Sequence, residues 1–122
     1  MVYFIQGKNK VKIGHSDYPS RRLKQLKANS PIELKIIGTL SGSAKTEKSL
    51  HEIFFKYHSH NEWFEYKGFL KECIIALNEN YRDVKTLPDF LKSGHELRVR
   101  KAANRKSKRG KSKLKNIINQ YD

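Results

Sequence analysis

A phenol, an amine, two guanidinium groups and a carboxylate–imidazole pair occur early enough in the chain for a few short elements to gather them. Tyr3 and Lys12 lie in two apolar runs, residues 2–6 and 11–14, separated by Gly7-Lys8-Asn9-Lys10. Arg21 and Arg22 fall at the start of a helical stretch, where the helix dipole slightly disfavours cations, a mild sign of an anionic partner. Glu47 and His51 are four residues apart and share one side of a later helix. Taken singly, each has an ordinary structural reading: a half-buried strand tyrosine, a solvated lysine, exposed helix charges, a boundary histidine. Taken together they suit a polyanion.

Charge points the same way. The net charge is +14, and residues 98–122 hold ten Lys or Arg against one acid, or +9; residues 1–97 hold sixteen against eleven, or +5. So uneven a distribution favours nucleic acid over an anionic membrane, because no amphipathic Trp/Leu-rich helix accompanies it. Arg98, Arg100, Lys101, Arg105, Lys106, Lys108 and Arg109 are expected to add non-specific affinity and no base readout. A lone Cys73 excludes an internal disulfide framework and a Cys-rich zinc site, and His58 and His60 do not form a zinc spacing with it. No apolar run reaches bilayer length and no signal-like start is apparent, so a soluble, cytoplasmic protein is expected.

The elements follow from spacing. With Lys8-Asn9 as a two-residue hairpin loop, Gly7 pairs with Lys10, Ile5 with Lys12 and Tyr3 with Gly14. Tyr3, Ile5, Lys12 and Gly14 then share one face, and Val2, Phe4, Val11 and Ile13 form an apolar face for the core. Lys12 sits diagonal to Tyr3, about 7–8 Å away, and Gly14 leaves space above the sheet. A loop one residue longer would turn Lys12 to the other face. Ser16 or Asp17 is expected to cap a helix with Pro19 in its first turn, burying Leu23, Leu26 and Ala28 and stopping at Asn29-Ser30-Pro31. Residues 32–40 read as a third strand, and Ser41-Gly42-Ser43 as a turn and cap. Residues 44–57 read as a helix, 58–61 as a polar loop, and 63–66 as a short edge strand. Residues 69–81 form a third helix with Leu70, Ile74, Ile75 and Leu77 inward. Leu87-Pro88 breaks the pattern. The expected architecture is α+β: a small three-stranded, mainly antiparallel sheet flanked by helices. It gives one domain over residues 1–81, then a linker and basic tail over 82–122, disordered or partly helical when bound.

In their order and spacing these residues resemble the GIY-YIG nuclease superfamily, nearest its small phage and bacterial branch. Val2-Tyr3-Phe4 stands at its first motif and Lys12-Ile13-Gly14 at its second. Arg22 stands eight residues beyond that glycine, Glu47 at the later helical glutamate, and Glu62-Trp63-Phe64 at the closing signature. The likeness covers about residues 2–70. It departs at the first motif's glycine and at the second tyrosine, replaced by Lys12, and Asn61 is the nearest counterpart of a late asparagine.

The resemblance implies a divalent-metal-dependent endonuclease that hydrolyses phosphodiester bonds in DNA, favoured over RNA. It assigns Tyr3 to activating or orienting water, with Lys12 across the hairpin as the cation favouring phenolate. Arg22 stabilises charge on the non-bridging oxygens, and Glu47 holds one ion per site, Mg²⁺ or Mn²⁺. His15 and His51 are further candidates for the proton path or phosphate contact. Arg21, Lys24 and Asn61 are candidate nucleic-acid contacts. Cutting both strands with one site calls for a homodimer or two visits. Two other readings stay open: a catalytically inactive nucleic-acid-binding module, and a small basic structural protein whose tail is the functional part.

Overall fold

The computed structural model describes residues 1–112, with side chains described through Ala103. The expected hairpin forms from β1 (Val2–Gly7) and β2 (Lys10–His15), with Tyr3 opposite Gly14, Ile5 opposite Lys12 and Gly7 opposite Lys10. Lys8 turns the chain with a left-handed φ of 57°, while the Asn9 carbonyl accepts a hydrogen bond from Tyr66 N (3.0 Å). Next come α1 (Pro19–Ala28), β3 (Lys35–Leu40), α2 (Ala44–Ile53) and a single 3₁₀ turn, Phe55–Tyr57. The chain then runs through β4 (His58–His60), β5 (Trp63–Glu65), α3 (Gly68–Glu79) and α4 (Leu87–Ser112).

The sheet has five antiparallel strands in the order β3-β1-β2-β5-β4, not three. Residues 58–60, read as a polar loop, pair with β5 as the outermost strand. That makes β5 an interior strand between β2 and β4 rather than an edge. An exposed His-Ser-His segment carries no apolar alternation by which a strand could be recognised.

Both faces of the sheet are covered. Val2, Phe4, Val11 and Ile13 turn to the main core, where they meet Leu50 of α2, Leu70, Ile74 and Leu77 of α3, and Phe90 of α4. Tyr3 and Ile5 turn the other way and pack with Leu34, Leu23 and Leu26 of α1, and Trp63. Ala28 is exposed, and Cys73 and Ala76 join the α3 core face in place of Ile75. Ser43 caps α2 through a reciprocal pair with Thr46, as its position implied. At α1, neither Ser16 nor Asp17 is the cap. Tyr18 occupies that position without a side-chain bond, and Ser16 Oγ instead accepts from Tyr18 N (3.0 Å).

The largest departure lies after residue 81. Leu87-Pro88 starts a helix instead of ending the fold. Proline is tolerated in a first turn because the amide it lacks would have had no intrahelical partner there. Thr86 Oγ1 accepts from Asp89 N (3.3 Å), and Asp89 Oδ2 accepts from Lys85 N (3.2 Å), a reciprocal cap. Those bonds, from the Lys85 amide first and Thr86 second, hold the Asp89 carboxyl below its ordinary pKa. Phe90 stacks on Phe4 (5.3 Å between centroids, 10°) and meets Phe54 edge-on (6.3 Å). Val84 and Leu97 are buried as well, so residues 82–97 belong to the packed body rather than to a linker. A Cβ on Gly94 would collide with Cys73 Sγ, which shows how closely α4 crosses α3. Burial, with the Glu72 charge second, pushes the Cys73 thiol up to about 12.

This packing fixes a stability expectation. Phe90→Ala should cost about 3–5 kcal/mol in urea unfolding, the range for deleting a buried aromatic side chain. A change near zero would return residues from 82 onward to the role of a linker.

Candidate active site

The site grows from the place where β2 runs out of sheet neighbours. β5 pairs with β2 only through Lys10, Val11 and Lys12. At Ile13 the ladder ends, and both backbone polar groups find other partners. Ile13 N donates to the Glu62 carbonyl (3.0 Å), and the Ile13 carbonyl accepts from His51 Nε2 (2.8 Å). A carbonyl only accepts, so His51 Nε2 carries its proton. The imidazole ring is held edge-on against Phe64 (4.9 Å).

Glu47, in the first turn of α2 where the dipole favours an acid, reaches His15 and His51. Its Oε1 lies 3.3 Å from His15 Nδ1, and its Oε2 lies 4.0 Å from His51 Nε2. Glu62 lies in the β4–β5 turn and meets Lys12: Oε1 to Nζ is 3.6 Å. Lys12 is only 8% exposed, with its ammonium also 5.8 Å from the Trp63 ring centroid.

Tyr3 is 2% exposed, and its ring lies across Gly14, where a Cβ would collide with the phenolic oxygen. The gap opposite Tyr3 is therefore used by Tyr3 itself. Its pKa is raised above 10, first by burial and then by the charges of Glu62 and Glu47; a hydrogen bond and charge from Arg22 pull the other way. One hydroxyl thus feels a guanidinium from α1, a carboxylate from α2 and a carboxylate from the β4–β5 turn.

A family model described as the T5orf172 domain matches residues 1–86. The chain belongs to the T5orf172 domain family. No GIY-YIG model matches, so the family assignment drawn from the Tyr3, Lys12–Gly14, Arg22, Glu47 and Glu62–Phe64 motifs is corrected by this finding. No curated protein and no solved structure matches the chain. The family match is compatible with a nucleic-acid-related function. Among the described residues no helix is long and apolar enough to cross a membrane.

In this T5orf172 domain Glu47 meets His15 and His51, and the charges of Arg22 and Glu47 reach Tyr3. Lys12 lies on the expected face but is engaged by Glu62. The cation that acts on Tyr3 is Arg22, whose guanidinium also donates to Gln25 Oε1 (3.2 Å), and burial leaves the phenol favoured in its neutral form. Arg21 and Lys24 are exposed on α1. Asn61 serves the β4–β5 turn: its φ is 50°, in the left-handed region that asparagine tolerates, and its carbonyl accepts from His58 Nε2 (2.8 Å). Arg98 and Arg100 are paired with acids of α3, at 2.6 Å to Glu72 and 3.3 Å to Glu79. Lys101 is exposed, and the side chains of Arg105, Lys106, Lys108 and Arg109 lie outside those described.

Glu62, named in the sequence only as part of the Glu62-Trp63-Phe64 signature and given no role there, is a residue of this cluster. Pairing Trp63–Glu65 against Lys10–Lys12 would have revealed its place, since the residue before Trp63 must then adjoin Ile13. Glu47, His51 and Glu62 each offer a ligand atom within 4.8 Å of the others. Because His51 Nε2 already donates to Ile13, the two carboxylates are the better ligands, and an all-oxygen pair suits Mg²⁺ or Mn²⁺.

The raised pKa has a direct readout. In an alkaline absorbance titration Tyr3 should ionise later than an ordinary phenol of pKa about 10, together with Tyr66, which burial also raises. Because the folded value is the higher one, Tyr3's contribution to stability is complete below about pH 10 and is lost as pH climbs through the folded pKa. Tyr3→Phe should remove part of the late component, and Arg22→Ala should delay what Tyr3 contributes. An Arg22→Ala titration identical to the native one would disprove the coupling.

Proposed function

We propose that this T5orf172 domain is a divalent-metal-dependent endonuclease hydrolysing phosphodiester bonds in DNA, with one ion per site. The observation that carries the reading is the cluster of Glu47, His51 and Glu62, whose ligand atoms lie within 4.8 Å of one another, with His15 3.3 Å from Glu47 and the Tyr3 hydroxyl within reach of their charge. A phosphodiester takes up negative charge as water attacks, and Arg22 presents a fork of donors to its non-bridging oxygens. The neutral Tyr3 phenol orients the attacking water by hydrogen bonding. His15 Nδ1 donates to Glu47, which fixes the tautomer and leaves Nε2 as the lone pair that takes the proton. His51, anchored on Ile13, positions the α2 face from which Glu47 projects. Glu47 and Glu62 would hold the Mg²⁺ or Mn²⁺, whose chemistry there would be that of a Lewis acid.

The net charge of +14 and the family match support nucleic acid as the polymer class. Cutting both strands would take two visits or a homodimer. The competing reading, a domain that holds nucleic acid without cutting it, draws on the neutral Tyr3 and on Lys12 being tied to Glu62.

Incubation with supercoiled plasmid and Mg²⁺ separates the two. Nicking by the native chain should vanish with chelator, and Arg22→Ala and Glu47→Ala should each slow it by about 10²–10³-fold. An inactive native chain, or variants as active as the native one, would overturn the nuclease reading. The basic end adds affinity of its own. Deleting residues 104–122, which carry seven Lys or Arg, should weaken binding and flatten the salt dependence by about 0.9 log unit for each phosphate no longer neutralised. Unchanged affinity and slope would remove that role.

A further inference from the structure

Beside the site stands an aromatic side chain that neither the core nor the proposed chemistry uses. Tyr18 is 62% exposed, although its backbone is fixed: its amide donates to Ser16 Oγ (3.0 Å) and its carbonyl accepts from Arg22 N (3.1 Å). The Arg21 guanidinium covers one face of the ring, 4.8 Å from the centroid. Tyr18 is the cap residue of α1, bonded through its carbonyl to the Arg22 amide, so its ring stands at the start of the helix that carries Arg22. A flat ring, backed by a cation on one face, thus shares a helix start with the arginine assigned above to the phosphate.

We propose that the Tyr18–Arg21 pair is a stacking platform for an unpaired base flanking the scissile phosphate, so that the site takes single-stranded or locally unpaired DNA in preference to intact duplex. The proposal rests on the nuclease reading above and adds its substrate class. In duplex DNA each base is already stacked between its neighbours and offers no face to a protein ring. An unpaired base does, whatever its identity, and the arginine behind the tyrosine adds attraction for both the ring and the backbone phosphate. Selection is therefore for strandedness rather than for sequence.

A matched control exists within the same chain. Tyr81 is also 62% exposed and carries Arg82 over its ring at 5.7 Å. It follows α3, on the opposite side of the sheet from α1, so it has the same chemistry in the wrong place.

The test is binding by fluorescence anisotropy of the full chain to a labelled single strand and to the same sequence as duplex, in chelator so that hydrolysis does not intervene. Tyr18→Ala should weaken single-strand binding by about 5–150-fold, the loss of one base–aromatic stack, and leave duplex binding unchanged. Tyr18→Phe should bind like the native chain, Tyr81→Ala should cost little, and an abasic single strand should no longer distinguish Tyr18→Ala from native. Native single-strand binding that is indifferent to Tyr18, or a loss equal on both substrates, overturns the platform while leaving the nuclease reading to the plasmid experiment. A native chain that binds neither substrate overturns both.

Discussion

The backbone of Ile13 holds this protein's site together. Its side chain is buried in the core opposite Phe4, so the segment cannot move without disturbing the sheet. Its amide and carbonyl both point beyond the end of β5, where no strand remains to receive them. An unpaired buried amide or carbonyl costs about as much as a lost hydrogen bond, so something must fill both places. The Glu62 carbonyl takes one and His51 the other. The termination of a three-residue strand thereby becomes the device that brings the β4–β5 turn and α2 to the same end of β2.

What gathers there is electrically mixed, and that decides the behaviour of Tyr3. Two carboxylates and burial oppose phenolate, and one guanidinium favours it; the sum lies on the neutral side. Lys12, the residue best placed on paper to tip that sum, instead faces Glu62 from within the sheet. A nearly buried ammonium needs such a partner, because an unpaired charge in that position would carry an uncompensated desolvation cost. The Trp63 ring, 5.8 Å away, is a second neighbour of the lysine, while Glu62 keeps its own side chain partly in solvent. In the proposed chemistry this leaves Tyr3 as an oriented hydrogen-bonding group and gives proton acceptance to His15, which Glu47 holds.

How much of this was legible in the sequence depended on the range of the interaction. The hairpin was readable residue by residue, because a two-residue turn and a period of two fix both register and face. Tyr3, Arg22, Glu47 and His51 could be placed on elements for the same local reason. β4 could not, since exposed histidines and a serine pair there through backbone alone. The position of Glu62 beside Ile13 and Lys12 was hidden because it depends on pairing two segments about fifty residues apart. α4 was legible after all: Thr86 and Asp89 have capping-box spacing with Pro88 between them, a start signal that reads as a stop if proline alone is weighed. The GIY-YIG resemblance rested on a handful of short motifs, whereas the family match extends over residues 1–86. Site-sized likenesses do not by themselves fix a family.

α4 also changes the meaning of the charge asymmetry. Read from composition, every cation after residue 97 belongs to one diffuse polyelectrolyte. In the folded chain Arg98 and Arg100 are engaged by Glu72 and Glu79, binding α4 to α3 and neutralising part of that charge internally. Arg98 is also set over Phe69, so its guanidinium acts as packing as well as charge. After these two exposed but paired arginines the next cation is Lys101, on a helix whose first turns are anchored by Phe90 and Leu97 in the body of the domain. A cation carried on an anchored helix loses less freedom on meeting a polyanion than one on a loose linker. The same helix that completes the core thus gives the basic end a fixed point of departure.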